Sequence, residues 1–221
     1  MKMKNIWFVS DLHIGHRNVI FYCKRPFVKG DCCNDKNCSI CRGYGFIPDV
    51  DLMNETLINN YNECVKPGDT VYMLGDICFQ PRKKLMETLY RLNGNKHLIY
   101  GNHDKSLIQE IKKLESEGVK LPFVSHQDYK EINVEGQKII LMHYAMRTWN
   151  AQHKGAWQLY GHSHNNLPEL PTLMSMDVGV DAHDYKPISF EQVKKHMTTK
   201  AKHAKKNNLT LTEDHHRKDV S

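Results

Sequence analysis

No stretch of the 221 residues approaches the roughly 18 consecutive apolar residues of a membrane-spanning helix, so no membrane segment is expected. The chain also lacks a secretory signal pattern, because Met1-Lys2-Met3-Lys4 leads directly into an apolar strand-like run. A cytoplasmic location, with no membrane partner, is the expectation. No internal repeat and no domain linker is visible, and the length suits one well-cored domain better than two. Excess charge is scarce outside one end: of the formal +6, half lies in residues 198–221, where six Lys/Arg face three acids. The body favours anionic ligands only weakly. Hydrophobic residues at 40% with a mean hydropathy of −0.61 describe a globular chain. Cysteine is not scarce. There are seven, and in a reducing compartment clusters among them point to metal before disulfides.

What is present alternates strands with helices. Ile6 to Val9 and Thr70 to Leu74 are short apolar runs of the kind that form buried strands. Met53, Leu57, Tyr61 and Val65 recur at helical spacing, with Asp51 expected as the cap. Short helices are expected from Arg17 to Lys24, from near Pro81 to Gly94, and from Ser106 to Glu117. Tyr129 to Val134 and Gln137 to Met142 flank Glu135-Gly136, a hairpin signal. Trp157 to Tyr160 and Met174 to Val180 read as the last two strands. Ser189-Phe-Glu-Gln192 is a capping box, with Ile188 and Val193 as its staple, opening a final helix to about Met197.

The chemistry collects where the strands end. Leu98-Ile-Tyr runs into Gly101-Asn102-His103-Asp104, which presents an amide oxygen, an imidazole and a carboxylate in sequence. Asp11 and His13, two apart after the first strand, are expected on one side, as are His162 and His164. Asp76 and His143 follow two further strands. A sheet packed between helices leaves an open rim at its C-terminal strand ends. Seven ligand-type groups on such a rim suit two divalent ions, with a carboxylate such as Asp76 able to bridge. Any one of them is equally well a cap or a turn residue; their recurrence at five strand ends has no folding reason. Lone histidines such as His97, His126 and His196 read as structural or solvated.

Asp11-Leu12-His13, Gly75-Asp76, Gly101-Asn102-His103-Asp104, His143 and Gly161-His162-Ser163-His164 resemble the five ordered motifs of the calcineurin-like metallophosphoesterase superfamily. Gly15-His-Arg-Asn18, Met146-Arg-Thr-Trp-Asn150 and Asp177-Val-Gly-Val-Asp-Ala-His183 resemble a subgroup of small bacterial and phage predicted phosphoesterases with poorly defined substrates. The resemblance covers residues 1–197 and leaves 198–221 as a basic polar tail. It implies an α/β fold, a four-layer α-β-β-α sandwich of two facing sheets. It also implies that Asp11, His13 and His164 hold one metal, that Asn102, His143 and His162 hold a second, and that Asp76 bridges them. Manganese, iron, zinc and nickel are not distinguished. The implied reaction is hydrolysis of a phosphomonoester or phosphodiester, a nucleotide among the candidates, by a metal-bridging hydroxide with His103 as general acid. Gly75-Asp76 is followed by Ile77-Cys78-Phe79 and not by the Asp and Arg-Gly of the phosphoprotein phosphatases, which argues against a protein phosphatase and leaves the orientation of His103 open.

Arg147, four residues beyond a ligand, is a candidate phosphate clamp. Tyr144, Trp149 and Trp157 could stack on a base, although core positions are the commoner use of such residues. His16 and Asn18 are candidates to support the ligands. Residues 29–48 stand apart as an insertion: Cys32, Cys33, Cys38 and Cys41 crowd into it, and Cys38-Ser-Ile-Cys-Arg-Gly-Tyr-Gly45 is similar to the zinc repeat of DnaJ-type chaperones. A structural zinc is expected there, with Cys23 as an alternate ligand. The alternative function is a nuclease of the same chemistry, gripping a nucleic-acid backbone through the basic tail and the Cys-rich insertion. A binding module with lost chemistry would show eroded ligands, and none is eroded.

Overall fold

The computed structural model describes residues 5–209 and 211. In chain order they form β1 (Ile6–Val9), α1 (Arg17–Tyr22), β2 (Val28–Asp31), β3 (Phe46–Pro48), α2 (Val50–Cys64), β4 (Thr70–Met73), α3 (Arg82–Arg91), β5 (Asn95–Ile99) and α4 (Lys105–Ser116). Then follow β6 (Ser125–Gln127), β7 (Tyr129–Val134), β8 (Gln137–Met142), β9 (Trp157–Tyr160), β10 (Ser175–Asp177), β11 (Ile188–Ser189) and α5 (Phe190–Lys206). One sheet has the order β11-β1-β4-β5-β6, parallel except for β11. A second runs β10-β9-β8-β7, and β2 and β3 make a separate ribbon.

Both faces of the first sheet are buried, which is why its strands read as unbroken apolar runs. Val9, Val71, Met73 and Leu98 point to one side, where Met53, Leu57 and Tyr61 of α2, Leu85 and Leu89 of α3, and Leu107 and Ile111 of α4 close over them. Their neighbours Phe8, Tyr72 and Ile99 point to the other side and meet Val134, Ile139, Leu141 and Leu159 of the second sheet. Two sheets face to face with helices packed outside are therefore what the alternation of side chains along each strand produces. On the far side of the second sheet Ile140 is covered by Trp149 and Ala156.

Local sequence decides several boundaries. Glu135 and Gly136 both have positive φ, 52° and 84°, as a two-residue hairpin turn between β7 and β8 requires. The capping box at Ser189 and Gln192 is formed, and Ile188 and Val193 share the inter-sheet core. The cap of α2 differs from expectation: Asp49, not Asp51, accepts the N–H of Leu52, because the helix starts directly after the β3 proline. Asp51 lies in the first turn, where its charge still suits the helix dipole.

Strand β10 is shorter than the run Met174 to Val180. Beyond it the backbone bridges to Ser10 and makes a 3-10 turn at Val180–Ala182. The last strand is β11. Helix α5 does not stop near Met197 but continues to Lys206, because Lys200 and Ala204 extend the buried stripe of Val193 and Met197. Residues 198–206 of the stretch read as a tail are thus helical, while most of 210–221 lies outside the described residues. Among the described residues no helix is long and apolar enough to cross a membrane.

Candidate metal centre

The C-terminal ends of β1, β4, β5, β8 and β9 open onto one rim, and the segments leaving them carry the seven candidate ligands. Those segments are stitched together before any side chain is considered: Asp11 N–H donates to the Gly75 carbonyl, His13 N–H to that of Asp76, and Gly161 N–H to that of His143. Asp11 and His13 do not lie in a strand, nor do His162 and His164. The strands stop at Val9 and Tyr160, and these four residues have φ of 57°, 51°, 68° and 48°, with Asp76 at 54°. The pairs converge through left-handed kinks and not through strand alternation. Each such kink costs a non-glycine residue roughly 1–2 kcal/mol, which the surrounding hydrogen bonds must hold in place.

Two glycines make the approach possible. A Cβ on Gly101 would overlap the Asp76 carboxylate, and one on Gly161 would overlap Ser10 Oγ and Asp11 Oδ2. Larger residues at either position would push a ligand out of the site.

Asp11 and Asp76 each have one oxygen tied to a backbone N–H and the other turned toward the histidines. Asp11 Oδ2 accepts the His162 N–H at 2.9 Å, while Oδ1 has no hydrogen-bond partner. Asp76 Oδ1 accepts the His103 N–H at 2.9 Å, and its Oδ2 lies 3.5 Å from His13 Nε2 and 3.6 Å from His143 Nε2. His13 Nε2 is likewise buried without a partner, 3.8 Å from Asp11 Oδ1. His143 donates through Nδ1 to the Leu74 carbonyl at 2.7 Å, which turns its Nε2 lone pair toward Asn102 Oδ1 at 2.9 Å. Carboxylate oxygens, an amide oxygen and imidazole nitrogens converge here, and Asp11 Oδ1 and His13 Nε2 among them are buried without a partner. Leaving buried polar atoms in that state is costly unless a cation joins them. Asp11, His13 and His164 form one such group, and Asp76, His143 and His162 another. The donor set of imidazole nitrogens and carboxylate and amide oxygens fits divalent metal ions.

The electrostatics agree. Burial works to raise the Asp11 carboxyl, but His13, His164 and His143 outweigh it and hold it below its ordinary range. Burial lowers His13 and His162, keeping both imidazoles neutral and able to ligate. Burial also acts to lower His164, yet Asp181 and Asp11 draw a proton toward it and carry it up to about 10. The pocket is electron-rich enough to attract positive charge.

A model of the calcineurin-like phosphoesterase superfamily domain matches residues 48–172, more than half of the chain. The chain belongs to this superfamily. The phosphoesterase is 32% identical to the uncharacterized protein MJ1445 of Methanocaldococcus jannaschii, over 88% of this chain and 92% of that protein. It is 27% identical to the gene 66 protein of Mycobacterium phage D29, over 84% and 93%. Its fold is similar to that of the protein of unknown function AQ665 from Aquifex aeolicus, with a TM-score of 0.58 and 23% identity over 88% of this chain and all of that one. It is a metal-dependent phosphoric ester hydrolase.

Around the candidate ligands of this phosphoesterase the structure gives Asp104, read in the sequence as a carboxylate of the site, a supporting role, and it adds Arg25 and Asp181, to which the sequence assigned none. Asp104, fully buried, accepts the N–H groups of Gly101, Asp76 and Ile77 at 2.8, 2.9 and 3.1 Å and so clamps the two glycine turns together. Arg25 is buried and bidentate to Asp181, and its guanidinium also donates to the carbonyls of Asp11 and Leu12. Asp181 in turn accepts from His164 Nδ1 at 2.7 Å, fixing Nε2 toward Asp11. Burial would raise Asp181, but His164 and Arg25 hold it down at about 2. Nothing in the sequence pointed to Arg25; Asp181 was signalled only by lying in a stretch that resembles the subgroup.

The remaining candidates divide. The His103 ring is exposed on the rim, 5.0 Å from that of Phe79, and Phe79 stacks on His16 at 4.0 Å. These two rings orient His103. His16 also meets His13 Nδ1 at 3.2 Å, and burial with the neighbouring histidines brings it down to about 4, so it remains neutral. Tyr144 lies edge-on to His162 and His143, whereas Trp149 and Trp157 are core residues. Arg147 is exposed. His97, His126 and His196 bond to Ser125, to Tyr100 and Glu115, and to Glu169, away from the site. The four cysteine sulfurs of the insertion lie together, and Cys23 is not among them: it groups with His164 and Asp181.

Proposed function

We propose that the protein is a dimetal-dependent phosphoesterase in which Asp11, His13 and His164 hold one cation, Asn102, His143 and His162 the other, and Asp76 both. The observation that carries this reading is the position of Asp76 Oδ2, 3.5 Å from His13 Nε2 and 3.6 Å from His143 Nε2, one from each group of donors, with its second oxygen already committed to a backbone N–H. A pair of divalent cations there supplies an activated water and offsets the charge that develops on the phosphoryl oxygens. The protein's own residues do the rest. Arg25 and Asp181 hold His164 in one tautomer, Leu74 does the same for His143, and the clamp at Asp104 keeps the turns bearing Asp76 and Asn102 in register. His103 delivers a proton to the leaving oxygen, its ring set over the rim by Phe79. Arg147 grips a phosphate oxygen.

The test is reconstitution of metal-stripped protein with manganese, iron, zinc or nickel. The reconstituted protein is assayed on p-nitrophenyl phosphate, its bis ester, cyclic nucleotides and single-stranded nucleic acid. Hydrolysis of at least one substrate that disappears in Asp76→Asn, together with loss of bound metal, is the expected result. Activity on none of them, with metal content unchanged in Asp76→Asn, would defeat the proposal. A nuclease with the same centre would reveal itself by cleaving the nucleic acid with an affinity that falls steeply as salt rises.

A further inference from the structure

The insertion between Asp31 and Phe46 has almost nothing to fold around. From Asp31 to Tyr44 the only buried residue is Cys41, and Ile40 and Tyr44 are each 46% exposed. Yet the segment is closely built. Cys32 N–H donates to Gly45 carbonyl as the β2–β3 ribbon ends, and Cys38 N–H, Arg42 N–H and Tyr44 N–H close successive turns on Asp35, Cys38 and Cys41. Gly43 and Gly45 both have φ of 80°, and a Cβ on Gly45 would come within 2.6 Å of Asn34 Oδ1. Something at the centre of these turns has to replace the missing apolar core.

That centre holds four sulfurs. Cys32 and Cys38 are 3.9 Å apart, Cys33 and Cys41 3.9 Å, and Cys32 and Cys33 4.0 Å, with all four within 4.8 Å of one another. A tetrahedral zinc with bonds of about 2.3 Å to thiolate sulfur has its ligands about 3.8 Å apart, since the edge of a tetrahedron is roughly 1.6 times its radius. The sulfurs stand at nearly that separation. A disulfide would bring one pair to about 2.05 Å and exclude the others. Here the contacts link all four.

We propose that Cys32, Cys33, Cys38 and Cys41 bind a structural zinc ion, separate from the catalytic pair. On binding, the four thiols release their protons and the thiolates take all four zinc positions. No site is left for water, so the ion organises structure and does no chemistry. Its outward effect is on α1. Arg17 donates to the carbonyls of Ser39 and Ile40, which sit between the two last ligands, and Phe21 stacks on Tyr44 at 4.7 Å. The zinc loop therefore braces the helix whose first residue follows His16.

The experiment uses full-length protein purified under reducing conditions, compared with Cys38→Ser/Cys41→Ser. The variant is expected to contain one zinc fewer per chain, with the metal of the dinuclear centre retained. It should also be cut faster by trypsin at Lys36 and Arg42. Cobalt-substituted wild type should show thiolate-to-cobalt charge-transfer absorption that the variant lacks. If the variant does not fold, wild-type protein is titrated with an organomercurial, and one zinc should leave as these four thiols react. Equal zinc content before and after substitution, no zinc released by the mercurial, iron in place of zinc, or disulfides by mass would each overturn the proposal.

Discussion

Asp76 and His103 are joined through the backbone: the main-chain N–H of His103 holds Asp76 Oδ1, while its ring reaches over the rim. The side chain can thus be removed without disturbing the carboxylate. His103→Ala is expected to keep both metals and to slow turnover about a hundredfold or more, the usual loss for a general acid. The loss should shrink on substrates whose leaving group needs no proton. Steady-state rates on esters of graded leaving-group pKa, with metal analysis of the same samples, check this; an equal loss on all of them would remove the acid role. The sequence named His103 from its place in a motif but could not orient it. Phe79, whose ring does so together with His16, is an ordinary residue in the linear pattern, and His16 was read there only as a support for the ligands.

The turns after β4 and β5 behave as one element, because a single carboxylate accepts three of their N–H groups. Asp104→Asn replaces one accepting oxygen by an N–H donor that faces another donor. Loss of about 1–3 kcal/mol of stability is expected, the cost of leaving a buried group unpaired. Metal affinity should fall about 10–100-fold, as for other groups that orient ligands. Urea denaturation of the metal-free protein and a metal titration measure the two effects, and an Asn variant as stable and as tight as wild type would show that the clamp is dispensable. At this scale much was legible. The hairpin, the capping box and the strands from Tyr129 to Tyr160 follow from local chemistry. The extension of α5 did not, because Lys200 is a polar letter whose stem is buried and whose ammonium meets Glu169 and the Ser175 carbonyl.

Across the whole molecule, that contact fastens α5 to the segment between β9 and β10. Partial burial would raise Glu169, but His196 and Lys200 outweigh it and hold it at about 2. A carboxyl depressed in the folded state contributes fully above its unfolded value of about 4.3, and the contribution is lost as pH falls toward 2. Glu169→Gln should therefore be less stable than wild type from about pH 5 upward, with the two curves converging near pH 2. Denaturation midpoints of the metal-free proteins across that range check it; a constant difference would show that the ion pair is not the cause. The sequence by itself determined the α/β class, the superfamily, the seven ligand-type residues and the cysteine cluster, because strand runs, motif order and close spacing are properties of the chain taken locally. Only the tertiary structure decided that Arg25 and Asp181 support His164, that Cys23 stands outside the sulfur cluster, and that left-handed turns aim the ligands. Arg25 and Asp181 are 156 residues apart, and no local pattern records a pairing that exists only once two sheets have packed and left a charge to be matched.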